Sequence, residues 1–251
     1  MNSREEGPWN WLEILGVVVL SILPYAYFFG RATMLVWHAK QEAAHDSKLA
    51  LVPIPLPDAS ISATPGTPVT FFGYQFEVPG EGQVSVRNPG DDHMVVAYGA
   101  VGKPLMFLNP ANNRGLVETT RTRNADAFLD AHSDYDLVRS TLYATPAQLS
   151  LIFPGKEAVY TATRLMIKQT EALGAETGLY SFRIGHLRGF QLGDPSRARN
   201  VRVIGFDESD RRLEFGFGCV PGPEYASKQG FNQPDINRVL ETLRPAPASP
   251  R

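Results

Sequence analysis

Five arginines fall between Arg183 and Arg202 (Arg183, Arg188, Arg197, Arg199 and Arg202), with Asp194 as the acid among them. A guanidinium is always charged and presents a planar fork of donors that matches carboxylate and phosphate oxygens. Arg114, Arg121 and Arg123 form a second group. Brought onto one surface, the two groups would bind an anionic headgroup, a phosphorylated ligand or an acidic partner. Left on the exposed faces of strands, they would only solubilise a sheet.

Other residues with chemical potential are sparser. Asp91-Asp92-His93 could offer ligands to a metal, but a site needs further donors from elsewhere, and the segment otherwise reads as a solvated turn after Pro89-Gly90. His132-Ser133-Asp134 holds the three residue types of a hydrolytic triad. A triad must converge in space, so contiguity lends no support, and Ser133 is placed to cap a helix. Cys219 closes a strand pattern of Leu213, Phe215 and Phe217 and reads as a small core residue. A single cysteine excludes an internal disulfide and a cysteine zinc site. None of the five histidines is spaced i, i+3 or i+4 from another, and the chain has no phosphate loop, dinucleotide fingerprint, nucleophile elbow or HExxH motif. No catalytic residue, metal site or cofactor is expected.

The elements around these residues follow from periodicity. Alternation over Thr70–Val78, Gln83–Arg87, Met94–Tyr98 and Pro104–Leu108 predicts four short strands separated by Gly/Pro/Asn turns. Ser133 with Asp136, and Thr145-Pro146-Ala147-Gln148, are helix-start signatures. The stripe Ala158, Ala162, Leu165, Met166, Gln169 and Leu173 predicts a longer helix ended by Gly174. Strands return over Leu179–Ile184, Leu187–Leu192, Asn200–Phe206 and Arg212–Cys219, the last two as a hairpin. A closing helix starts at Asn232 and buries Ile236, Val239, Leu240 and Leu243.

Upstream lies a different kind of chain. Ile14 to Gly30 contains no formal charge, with Trp9 and Trp11 at one end of the span and Tyr25, Tyr27 and Trp37 at the other, as interfacial aromatics would be. The acidic N-terminal flank and the absence of a small-residue cleavage site argue against a removed signal. The expected organisation is a tail over 1–11, a transmembrane helix with interfacial extension over 12–37, and a juxtamembrane, proline-rich stalk over 38–68. A globular domain over 69–245 and a tail over 246–251 complete it. Arg31, Lys40 and Lys48 outnumber Arg4 across the span, which places the bulk of the chain on the cytoplasmic face. With 24 basic against 26 acidic residues the chain is near neutral, unlike a general nucleic-acid binder.

The fold class expected is α+β, an antiparallel sheet covered by helices and preceded by one transmembrane helix. The element order, the strand GYQFEVP (73–79) and the helix DINRVLETL (235–243) resemble the Mog1/PsbP-like group of α/β/α sandwiches over about Phe71 to Leu243. That resemblance implies a mostly non-catalytic binding or assembly role and carries over no site residue. The reading is a single-pass protein whose domain binds a protein partner or assembles a complex at the membrane; the alternative is a tethered small-molecule or lipid-binding domain, enzymatic or not.

Overall fold

The computed structural model describes residues 11–58, 60–79, 85–87, 93–98, 103–111, 133–150, 155–169, 178–194, 201–218 and 231–247. Helix α1 (Trp11–His45) is followed by a 3-10 turn (Ser47–Ala50) and strands β1 (Ile54–Pro55), β2 (Gly66–Phe71), β3 (Tyr74–Pro79), β4 (Ser85–Arg87), β5 (His93–Tyr98) and β6 (Lys103–Leu108). Helices α2 (Asp134–Leu142) and α3 (Lys156–Ile167) precede β7 (Leu179–Ile184), β8 (Leu187–Leu192), β9 (Val201–Phe206) and β10 (Arg212–Phe217). Helix α4 (Gln233–Thr242) and β11 (Arg244–Pro245) end the described chain.

The α+β class holds, with the strands in two sheets rather than one. The larger runs β1-β7-β8-β9-β10-β6-β5-β4, antiparallel throughout except for the parallel β1–β7 pair. The smaller runs β11-β3-β2. The stretch Thr70–Val78, expected as one strand, is two: Phe71 pairs with Tyr74, and Phe72 (φ 50°) with Gly73 (φ 77°) makes the turn. Two consecutive positive φ values give the primed turn whose twist matches a tight hairpin. Pro68 is accommodated because β2 is an edge strand.

The large sheet is packed on both faces. On one, Phe182, Leu187, Val203, Leu213, Phe215 and Phe217 meet α4 (Ile236, Val239, Leu240) and the small sheet (Phe76, Val78). Phe107 and Phe215 stack at 4.6 Å, and Phe76 meets both edge-on. On the other face Phe190, Leu192, Ile204 and Phe206 meet α2 and α3 through Leu137, Val138, Leu142, Tyr160 and Ile167. The caps at Ser133 and Asn232 form as expected, each side-chain oxygen accepting from the amide three residues on. Thr145–Gln148 forms its reciprocal capping box but supports only a 3-10 turn, Pro146–Gln148. The expected residues Leu173 and Gly174 lie outside the described residues.

The largest departure concerns 38–68, which is not a free stalk. Helix α1 continues to His45 and packs Val36 and Ala39 with Leu49, Ala158, Ala162 and Leu165 in one buried cluster. Beyond it, β1 pairs with β7, the Leu56 amide donates to Ser181 O, and the Ser62 amide donates to Pro234 O. A chain of buried amides completes the attachment. Gln191 and Gln233 bond reciprocally at 2.7 and 2.9 Å, Gln233 donates to Asn237 Oδ1, and Asn237 donates to the carbonyls of Asp58 and Ser60. Proline spacing fits an extended segment laid against a sheet edge as well as a free one.

Among the described residues no helix is both long and apolar enough to cross a membrane. The side chains of residues 11–14, 24–26 and 28, in or beside the uncharged run, lie outside the described set. Along the rest of that run Leu15, Val17, Val18, Val19, Leu20, Ile22, Leu23, Tyr27 and Phe29 are exposed.

Candidate ligand-binding site

Antiparallel register collects part of the predicted arginine cluster at one end of the large sheet. Arg183 stands opposite Arg188, Arg188 opposite Phe206, and Phe206 opposite Arg212. Directly opposed residues share a face, so β7 to β10 carry one row of three arginines interrupted by a phenylalanine. The two turns at this end, Gly185-His186 and Asp207–Arg211, close over it. Between them lies a polar pocket of about 340 Å³ lined by Arg183, Gly185, His186, Leu187, Arg188, Asp207 and Glu208. Its size is at the lower end of small-ligand sites.

The charges in this pocket are unequally committed. Asp207 Oδ1 accepts from the amides of Ser209 and Arg211, and Oδ2 from Arg211 Nε at 2.8 Å. That bond raises the Arg211 guanidinium above its ordinary value, and Arg211 lies over the Tyr74 ring. Asp210 adopts φ 60° and turns its carboxylate onto the N-terminus of α2. There Oδ2 accepts from the Asp134 amide at 2.6 Å, while Oδ1 lies 3.5 Å from Arg188 Nη2. Arg188 also lies over the Tyr135 ring at 4.1 Å, and Tyr135 in turn stacks on Phe190. Arg188 is therefore held from two sides. Arg183 is exposed and, among the described residues, has no ion-pair or hydrogen-bond partner.

Arg202 is placed differently. Its guanidinium bonds Glu214 Oε1, and Arg212 Nη2 bonds Glu214 Oε2 at 2.6 Å. Glu214 and Arg212 are buried, so Arg202 belongs to an internal Arg–Glu–Arg triad on the helix-covered face. Burial lowers the Arg212 guanidinium below its ordinary value, opposed by the Glu214 charge. Its Nε and Nη1 find no acceptor among the described residues. Arg197, Arg199, Arg114, Arg121, Arg123, His132, Asp91, Asp92 and Cys219 lie outside the described residues.

The structure thus brings Arg183 and Arg188 together and commits the half-buried Arg202 to the buried Glu214. Spacing gave no sign of His186, Glu208 or the capping Asp210, because hairpin ends meet across the sheet rather than along the chain. Among the described residues no group of three His, Cys, Asp or Glu is placed to hold a metal. In comparison with known proteins the chain matches no family model, no curated protein and no solved structure.

Proposed function

We propose that this protein is a single-pass, membrane-anchored binding domain that engages a protein partner or assembles a complex at the cytoplasmic membrane surface. The observation that carries this reading is the exposure of Leu15, Val17, Val18, Val19, Leu20, Ile22, Leu23, Tyr27 and Phe29 along α1. Contiguous exposed apolar surface of this extent is unfavourable in water and is stabilised in hydrocarbon, where a helix satisfies its own backbone hydrogen bonds. Because the same helix buries Val36 and Ala39 in the domain, the domain sits close against the bilayer rather than at the end of a tether. The element order resembling the Mog1/PsbP-like group supports binding over catalysis by fold analogy alone.

The test is alkaline carbonate extraction and flotation of the full chain after expression in cells. Retention with the membrane pellet at high pH is expected, and complete release into the supernatant would overturn the anchor. A reporter fused after Arg251 is expected to be active in the cytoplasm; activity of an alkaline phosphatase fusion, which needs an oxidising compartment, would reverse the orientation.

A second reading, a small-molecule or lipid-binding domain on the same anchor, is favoured by the polar pocket between the Gly185-His186 and Asp207–Arg211 turns.

A further inference from the structure

Arg183 and Arg188 face each other directly across β7 and β8. Like charges at such a pair, about 4.5–5.5 Å apart at Cβ, destabilise a sheet unless something of opposite sign lies between or beside them. Arg188 has Asp210, at a long 3.5 Å, whereas Arg183 has no carboxylate among the described residues. His186 adds a third nitrogen-bearing group on the same wall. Of the two acids lining the pocket, Asp207 is engaged by three donors. Glu208 is exposed and has no partner among the described residues. The pocket therefore offers one unmatched guanidinium, a neighbouring imidazole and one unmatched carboxylate.

The elements around the pocket are tied together at Lys168. The carbonyls of Leu49 and Leu51 after α1, of Ala144 after α2, and the ammonium of Lys168 at the end of α3 meet at one point. The pocket lies at the opposite end of α2, where Asp210 caps Asp134; nine helical residues put it roughly 14 Å from Lys168. Glu42 bonds Gln169, beside Lys168, and α1 runs alongside α3 from there through Ala39 and Val36. Going back along α1 from Glu42, Gly30 comes after roughly 18 Å of helix. If α1 is the anchor, as proposed above, a bilayer headgroup can reach such a pocket as well as a free solute can.

We propose that this pocket binds a small zwitterion carrying a phosphate beside an ammonium, the chemistry of an ethanolamine phospholipid headgroup or its soluble counterpart. The Arg183 guanidinium and the His186 ring donate to the phosphate oxygens, Arg188 flanks them, and Glu208 accepts from the ammonium. Arg183 suits this role because its planar fork fits phosphate oxygens and, among the described residues, nothing occupies it.

The test uses the full chain in phosphate-free maltoside micelles, following the His186 ring resonances (identified with H186N) by NMR while phosphoethanolamine is added. A saturable shift with Kd on the order of 1 mM is expected, the weak end of specific affinity. R183Q, at an exposed position, should retain the wild-type spectrum elsewhere and bind about tenfold more weakly. E208Q should weaken phosphoethanolamine binding yet strengthen binding of inorganic phosphate. A non-saturating response, unchanged affinity in R183Q, or parallel effects of E208Q on both probes would overturn the proposal. Nanodiscs then separate the sources. A His186 shift with ethanolamine lipid but not with glycerol lipid assigns the bilayer headgroup, and a shift with the soluble probe alone assigns a free solute. If alkali strips the chain from membranes, the anchor fails while the micelle titration still decides the pocket.

Discussion

The Lys168 ammonium donates to the Ala144 carbonyl at 3.0 Å and to that of Leu49 at 3.2 Å, with Leu51 O as its third acceptor. Lys168 is fully buried with no carboxylate beside it among the described residues, and these carbonyls lie at the C-terminal ends of helical segments, where the backbone dipole favours a cation. One side chain thereby ties the segment after α1 to α2 and α3. Lys168→Met keeps the apolar stem and leaves three carbonyls without their donor, at about 1–3 kcal/mol for each that stays buried. The expected result is a lowered denaturant midpoint, with faster amide exchange over residues 46–56 than over β8 and β9. Equal acceleration everywhere would show that Lys168 does not specifically hold this segment.

The same residue predicts a pH dependence. Burial lowers its pKa from 10.5 to about 8. Between those values the unfolded chain binds more protons than the folded one, so stability contributed by Lys168 rises with pH from about 8 to about 10.5. At 1.36 kcal/mol per unit the gain is bounded near 3 kcal/mol, and the carbonyls, which favour the charged form, hold it lower. Denaturation of wild type and Lys168→Met across pH 7 to 11 should show the difference between them growing in that window. A constant difference would count against the lowered pKa.

Glu214 is the centre of the buried triad with Arg202 and Arg212. Glu214→Gln leaves two guanidinium groups without their charge partner, one of them buried, and should cost about 3–5 kcal/mol in urea denaturation. Arg202→Ser, which removes a partner of the same buried carboxylate, should be measurably destabilising as well, whereas a solubilising arginine on an exposed strand face would be nearly neutral. No change in either variant would mean that the triad is not formed in solution.

Gly189 faces Gly205 across β8 and β9. A Cβ on Gly189 would lie 2.1 Å from the Ile204 carbonyl oxygen, a backbone atom that cannot move without opening the ladder. Gly189→Ala should destabilise by about 1–3 kcal/mol or more, as overpacking does. At Gly205 the nearest atoms to an added Cβ are 3.7 and 3.9 Å away. Gly205→Ala is therefore expected to be much milder, and equal costs would refute the close approach.

Asp210 caps α2 from another element and holds a left-handed φ. Asp210→Gly keeps the backbone conformation and removes only the carboxylate, so its cost should be that of a lost helix cap, about 0.5–2 kcal/mol. Asp210→Ala adds conformational strain and should cost more. The reverse order would argue against strain at this φ, and no cost in Asp210→Gly would argue that the carboxylate contributes little.

For the anchor, Val18→Arg places a charge near the middle of the uncharged run and should impair insertion by about 2.5–3.5 kcal/mol on translocon scales. Unchanged alkali resistance would remove the assignment of a span to this helix.

Local patterns in the sequence were enough for most elements and caps. Period-two alternation located β4 to β10, and Ser133 and Asn232 wrote the starts of α2 and α4 as they occur. These features depend on residues within a few positions of one another, which is why one sequence carries them. What the chain order could not express is which ends meet. The segment after α1 reads as a stalk because prolines favour extended chain, yet extended chain also fits along β7, and Asn237 and Lys168, more than a hundred residues away, supply the donors that fix it. The five arginines read alike in sequence. Strand register divides the described ones: Arg183 and Arg188 are paired at a pocket, while Arg202 is committed to Glu214, a partner twelve residues on that pairs only because β9 and β10 form a hairpin. Charge density is a property of sequence, but whether a charge is free depends on what folding places opposite it.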